Sequence, residues 1–99
     1  MAVEVHVTGR IESGKFLEFI EAVARWSEYR AAKGDAEARV LQGLSGEMNH
    51  VRLVFEYPDL ALYEREEARD SADPEYAEVA GAMPFVEGTL HYAIYRELD

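Results

Sequence analysis

His6, His91, Arg52, Glu56 and Tyr95 are the side chains whose types could bind or transform a small molecule. Two imidazoles together with Glu4 or Glu56 are the parts from which a divalent-metal site or an acid–base pair is built. Three histidines among 99 residues is an ordinary complement, however, and hydrogen-bonded histidines lining an interface are the simpler reading. No metal or other cofactor is therefore assigned. Arg52 and Glu56 flank Val54 at the two-residue spacing of one strand face, which suits a salt bridge or a contact with a second copy. The sharper alternative is that Arg52 grips a substrate carboxylate. Trp26 with Tyr29 reads as packing at the edge of the core, and His50, next to Asn49 at a turn, as solvated. Tyr57, Tyr63, Tyr76 and Tyr92 stand where packing alone would place them.

Other chemistries lack their parts. There is no cysteine, hence no disulfide framework, thiolate zinc site or thiol nucleophile. No phosphate-cradling glycine loop, G-x-S-x-G, H-E-x-x-H or dinucleotide fingerprint occurs. Ser13, Ser27, Ser45 and Ser71 have no His–Asp context.

The elements that must position these groups follow from hydropathy periods. Val3 to Thr8 alternates with period two, a half-buried strand with Val3, Val5 and Val7 on one face. A turn at 12–15, with Ser13 as the expected cap, leads into a helix from Phe16 to Ala32. Its apolar stripe is read as Phe16, Ile20, Val23 and Ala24, widened by Leu17, Phe19 and Trp26. Lys33-Gly34 ends it with a cation at the negative helix terminus and a residue that accepts positive φ. A second strand is expected from Ala36 to Leu44, a hairpin loop at 45–49, and a strong third strand from His50 to Tyr57. Pro58 stops that strand, and Asp59 caps a helix running to about Arg69. The run Glu64-Arg65-Glu66-Glu67-Ala68-Arg69-Asp70 reads as a solvated face. Asp73-Pro74 opens a short third helix reaching about Met83, and Gly88 to Leu98 alternates as a last strand.

This order, with right-handed crossovers and short connections, predicts an α+β fold: a ferredoxin-like βαββαβ unit with an antiparallel four-stranded sheet in the order 4-1-3-2. The helices cover one face. The other collects Glu4, His6, Thr8, Arg52, Val54, Glu56, Thr89, His91 and Tyr95, a mixed surface that a second copy could close into a barrel-like homodimer. Residues 1–99 make one domain, at a size where about 60–70% of the unfolded surface is buried, so covering a further face is physically useful. Twenty acidic against ten basic residues leave a net charge of −10. That disfavours nucleic acid and anionic membrane surfaces as partners. The start lacks a secretory pattern and no apolar run approaches a membrane span, so a cytoplasmic location is expected.

Three segments resemble a known family. Glu12-Ser13-Gly14-Lys15-Phe16-Leu17-Glu18-Phe19 is similar to the glycine–lysine helix opening of NIPSNAP-like proteins and related dimeric α+β barrel domains. Phe55-Glu56-Tyr57-Pro58-Asp59-Leu60-Ala61-Leu62-Tyr63-Glu64 resembles their strand-to-helix passage, and Asp73-Pro74-Glu75-Tyr76 the start of their last short helix. The resemblance covers most of the chain, rests on caps, turns and core positions, and implies a ferredoxin-like subunit that dimerises. The wider superfamily includes cofactor-free monooxygenases of antibiotic biosynthesis, haem-degrading enzymes and small isomerases; no catalytic motif of theirs is matched here position by position. The functional expectation is a small-molecule-binding dimer, with the ligand between sheet and helices or inside the dimer. The alternative is a cofactor-independent monooxygenase or isomerase for an aromatic or polyketide-like substrate, with His6 or His91 as base.

Overall fold

A computed structural model describes residues 2–98. Strand β1 (Val3–Arg10) is followed by helix α1 (Phe16–Ala32) and strands β2 (Ala38–Gln42) and β3 (His50–Tyr57). Helices α2 (Leu60–Ser71) and α3 (Pro74–Gly81) come next, then strand β4 (His91–Arg96). The sheet is antiparallel throughout in the order β2-β3-β1-β4, as the connection rules require. Opposite residues share a face, and the register puts Val5 against Phe55 and Ile94, and His6 against Val54 and Ala93.

The inward faces of β1 and β3 meet the helices. Val3, Val5, Val7, Leu53, Phe55 and Tyr57 form one buried cluster with Trp26, while Ile11, Phe19 and Val51 form a second. Each such side chain contributes about 1.5–3 kcal/mol relative to exposure. The buried stripe of α1 differs from expectation: it is Phe19, Ala22, Trp26, Tyr29 and Arg30. Leu17 and Ile20 are exposed instead. Hydropathy favoured the aliphatic side of the helix, but the aromatic side meets the sheet. Trp26 and Tyr29 are thus core residues, not edge packing. Gly9 of β1 also belongs to the packing: a Cβ there would lie 2.7 Å from the Phe85 ring.

The ends of several elements are set by hydrogen bonds that hydropathy does not encode. Lys15 stands at the N-cap of α1 and no side chain caps the helix, so Ser13 does not serve as expected; the Lys15 N–H donates to Glu12 O at 3.1 Å. Strand β2 begins two residues late because both backbone groups of Ala36 are taken by side chains. Its N–H donates to Glu66 Oε1 at 3.2 Å, and its carbonyl accepts from Arg30 Nη2 at 2.9 Å. Strand β4 begins after a turn in which Thr89 N–H reaches Val86 O at 3.2 Å, with Gly88 at φ +81°. The caps of α2 and α3 are those expected: Asp59 accepts from Leu62 N–H and Asp73 from Glu75 N–H.

Candidate functional site

Between the sheet and the helices lies a cavity of about 140 Å³. Its floor includes Val5, Val7, Leu53 and Phe55 from β1 and β3, because their period-two alternation turns them inward. Its walls are rings: Trp26 of α1, Tyr63 of α2 and Tyr76 of α3, with Phe85 and Tyr92 beyond. These rings brace one another edge to face, Trp26 on Phe55 at 5.7 Å and Tyr57 on Tyr63 at 5.4 Å between centroids. Glu67, Leu90 and Tyr92 at the rim are exposed, which places the mouth between α2 and β4. The inward set of β4, expected to be covered like those of β1 and β3, is largely open; Tyr92 is 65% exposed. Burial pushes the Tyr63 phenol pKa upward. Tyr57 is raised too, by burial first and then by its hydrogen bond to Glu66, against the opposing pull of Arg30.

One end of the cavity is closed by an ionic cluster that sequence reasoning missed. Arg30 is buried on α1, its guanidinium carbon 5.2 Å from the Trp26 ring centroid and 4.7 Å from that of Phe55. Its Nη1 lies 3.5 Å from Asp35 Oδ2 and 3.6 Å from Asp70 Oδ2, and its Nη2 lies 3.8 Å from Glu66 Oε2. Arg69 pairs with Asp35 and Asp70 from the outside. Glu66 and Asp70, read from sequence as part of a solvated run, are therefore buried partners of Arg30. The available signal was their four-residue spacing, which sets both on one face of α2. Nearby, Tyr29 of α1 donates a short hydrogen bond to Asp73, the cap of α3. That bond holds the Asp73 pKa below its usual value, with the Glu75 N–H adding to the effect. It also raises Tyr29 to about 12, helped by burial.

The opposite sheet face carries the residues singled out from sequence. Arg52 Nη1–H donates to His6 Nδ1 at 2.8 Å, and His6 Nε2–H donates to Glu4 Oε1 at 2.9 Å. Arginine has no acceptor, so the geometry assigns the ring proton to Nε2. Tyr95 packs edge-on against His6 at 4.8 Å. His6, Arg52 and Tyr95 are thus brought together with Glu4. Glu56 stands opposite Glu4 across the strands and shares with it and Tyr95 an open cleft at the strand ends. Arg52 turns to His6, and among the described residues it forms no ion pair with Glu56. His91 pairs with Thr8, diagonal to His6 on the same face, and is exposed outside this hydrogen-bonded chain. His50 begins β3 half-buried, not solvated. Among the described residues no group of three or more His, Asp or Glu could hold a metal ion, and no helix is long and apolar enough to cross a membrane.

This arrangement, one antiparallel sheet with helices on one side and an open face on the other, is a ferredoxin-like α+β fold. Solved structures agree. A NIPSNAP family protein from Agrobacterium tumefaciens superposes with a TM-score of 0.80 at 14% identity, over 100% of this chain and 95% of that one. An uncharacterized NIPSNAP domain protein from Burkholderia xenovorans gives 0.77 at 24% identity, over 99% and 95%. SnoaB, a cofactor-independent oxygenase from Streptomyces nogalater, gives 0.71 at 14% identity, over 99% and 94%. No family model and no curated protein sequence matches the chain. The likeness to NIPSNAP proteins expected from the three sequence segments therefore holds at the level of fold.

Proposed function

We propose that this chain is a small-molecule-binding protein whose ligand occupies the cavity between sheet and helices. In this reading residues 1–99 act as one cytoplasmic domain that pairs with a second copy through the open sheet face. The observation that carries the reading is the ring-walled cavity itself, a concave, mostly apolar site with a few polar groups in its wall. A screen of small aromatic compounds for ligand-dependent thermal shifts tests it. A true ligand at a hundred times its Kd adds about 2.7 kcal/mol of stability. Ala80, which lines the cavity, provides the control: Ala80→Leu fills the space and abolishes the shift. Retention of the full shift by that variant, or no shift with any compound, would sink the reading.

A second reading is favoured by the Glu4–His6 hydrogen bond, since a carboxylate on Nε2–H orients the imidazole, and a substrate that draws Arg52 away would free Nδ1 to accept a proton. In it the dimer interior is the active site of a cofactor-independent oxygenase or isomerase, with Arg52, Glu56, His91 and Tyr95 supplying polar contacts. SnoaB, of like fold, is described as such an oxygenase. Replacing both His6 and His91 by Ala abolishes turnover of an aromatic substrate if this reading holds; unchanged turnover removes it.

A further inference from the structure

Tyr63 and Glu67 stand four residues apart on α2, which sets both on one face of that helix. Tyr76 of α3 and Tyr92 of β4 join them in lining the cavity between sheet and helices. The four form one neighbourhood: the Tyr63 phenol pKa is pushed up by burial first, and then by Glu67, Tyr92 and Tyr76 in turn. The lining thus changes character with depth. Inward it is the buried surface of Val5, Val7, Leu53 and Phe55; at the mouth it is phenol rings and one exposed carboxylate. An apolar cavity of about 150 Å³ accepts one benzene ring, and this one measures about 140 Å³.

Charge decides what such a ring carries. Glu67 has no basic neighbour on its own helix face, since the residues three and four away are Tyr63, Glu64, Asp70 and Ser71. Among the described residues it forms no ion pair. Arg30 is the one basic residue of the lining, and Asp35, Glu66 and Asp70 hold it at the closed end. A cation at the mouth therefore meets an unopposed carboxylate among electron-rich rings, and the ring quadrupole attracts ammonium groups. An anion there meets only the repulsion of Glu67.

We infer that the cavity takes a single-ring aryl compound bearing an alkylammonium group, its ring within and its charge at the mouth beside Glu67 and the tyrosines. The inference rests on the cavity being the ligand site, and the test separates the two. Phenethylamine, phenethyl alcohol and phenylacetate, alike in ring and size, are titrated into the full chain by calorimetry at neutral pH. The amine, protonated there, binds about tenfold more tightly than the alcohol, the combined worth of one exposed ion pair and one cation–π contact. Phenylacetate binds more weakly than either. Glu67 is exposed, so Glu67→Gln leaves the core alone; it brings the amine to within about threefold of the alcohol, whose own affinity is unchanged. Tyr92→Leu weakens the amine about threefold and the alcohol by less. Glu67→Gln removes only one of the ten net negative charges, so an amine preference that survives it comes from the overall field and overturns the inference. Equal affinity for amine and alcohol, or tightest binding of phenylacetate, overturns the ammonium assignment while leaving the cavity as a ligand site. Amine binding that Ala80→Leu does not diminish also overturns it, because the ligand then lies outside the cavity. No binding of any of the three sinks the inference, and no shift throughout the wider aromatic screen then sinks the cavity reading with it.

Discussion

At the scale of single residues, the Tyr29–Asp73 hydrogen bond makes a prediction with a definite sign. Asp73 titrates lower in the folded chain than in the unfolded one, so its contribution is present above the ordinary carboxylate value and is lost as pH falls through the depressed one. Tyr29 is raised from 10.0 to about 12, so its contribution is present below pH 10 and lost as pH rises through 12. The difference in urea midpoint between the native chain and Tyr29→Phe should be flat from about pH 5 to 9 and shrink at both extremes. A difference that stays constant through both extremes would show that the hydroxyl acts by packing alone. Neither partner was legible in sequence as a pair: Asp73 declared itself as a cap through the following Pro74, but nothing in Tyr29 says which helix lies opposite.

At the scale of elements, legibility followed the length and regularity of the hydropathy pattern. β3 has the bounds its alternation predicts, and β1 and α1 run from the expected starting residues, because burial of one face governs each. β2 and β4 came out shorter, since their ends are decided by side-chain and turn hydrogen bonds formed with distant or irregular segments. The stretch from Glu64 to Asp70 shows the limit most clearly. An alternating acid–base helix looks the same whether it faces water or a buried arginine, and only the position of α1 decides. Removing one partner of a buried pair leaves the other uncompensated, so Glu66→Ala should destabilise by about 3 kcal/mol in urea unfolding. A solvated glutamate would cost no more than a few tenths. The result therefore discriminates between the two descriptions of α2.

At the scale of the whole molecule, the open sheet face is where assembly should appear. Leu41 and Tyr95 on that face are 43% and 53% exposed, at its two edges, around the polar chain centred on His6. The native chain should sediment as a dimer and the double variant Leu41→Asp, Tyr95→Asp as a monomer. Each copy carries a net charge of −10, so added salt should strengthen the native association by screening repulsion between copies. Identical sedimentation of native and variant chains would move the interface elsewhere. The site residues named from sequence were legible as members of this face because alternation fixes facing. Which of them touch was not: Arg52 and His91 both stand opposite Thr8, one row from His6, and only the longer arginine side chain turns back to the imidazole.

Ala36 ties these scales together. Its amide is held by a carboxylate of α2 and its carbonyl by a guanidinium of α1, so neither helix can leave without releasing that one peptide position. In hydrogen exchange Ala36 should behave as a latch, with a protection factor that tracks the opening of the ionic end of the cavity and not the fraying of β2. Its exchange rate thus becomes a local clock for how often the wall formed by Arg30 and Trp26 comes apart.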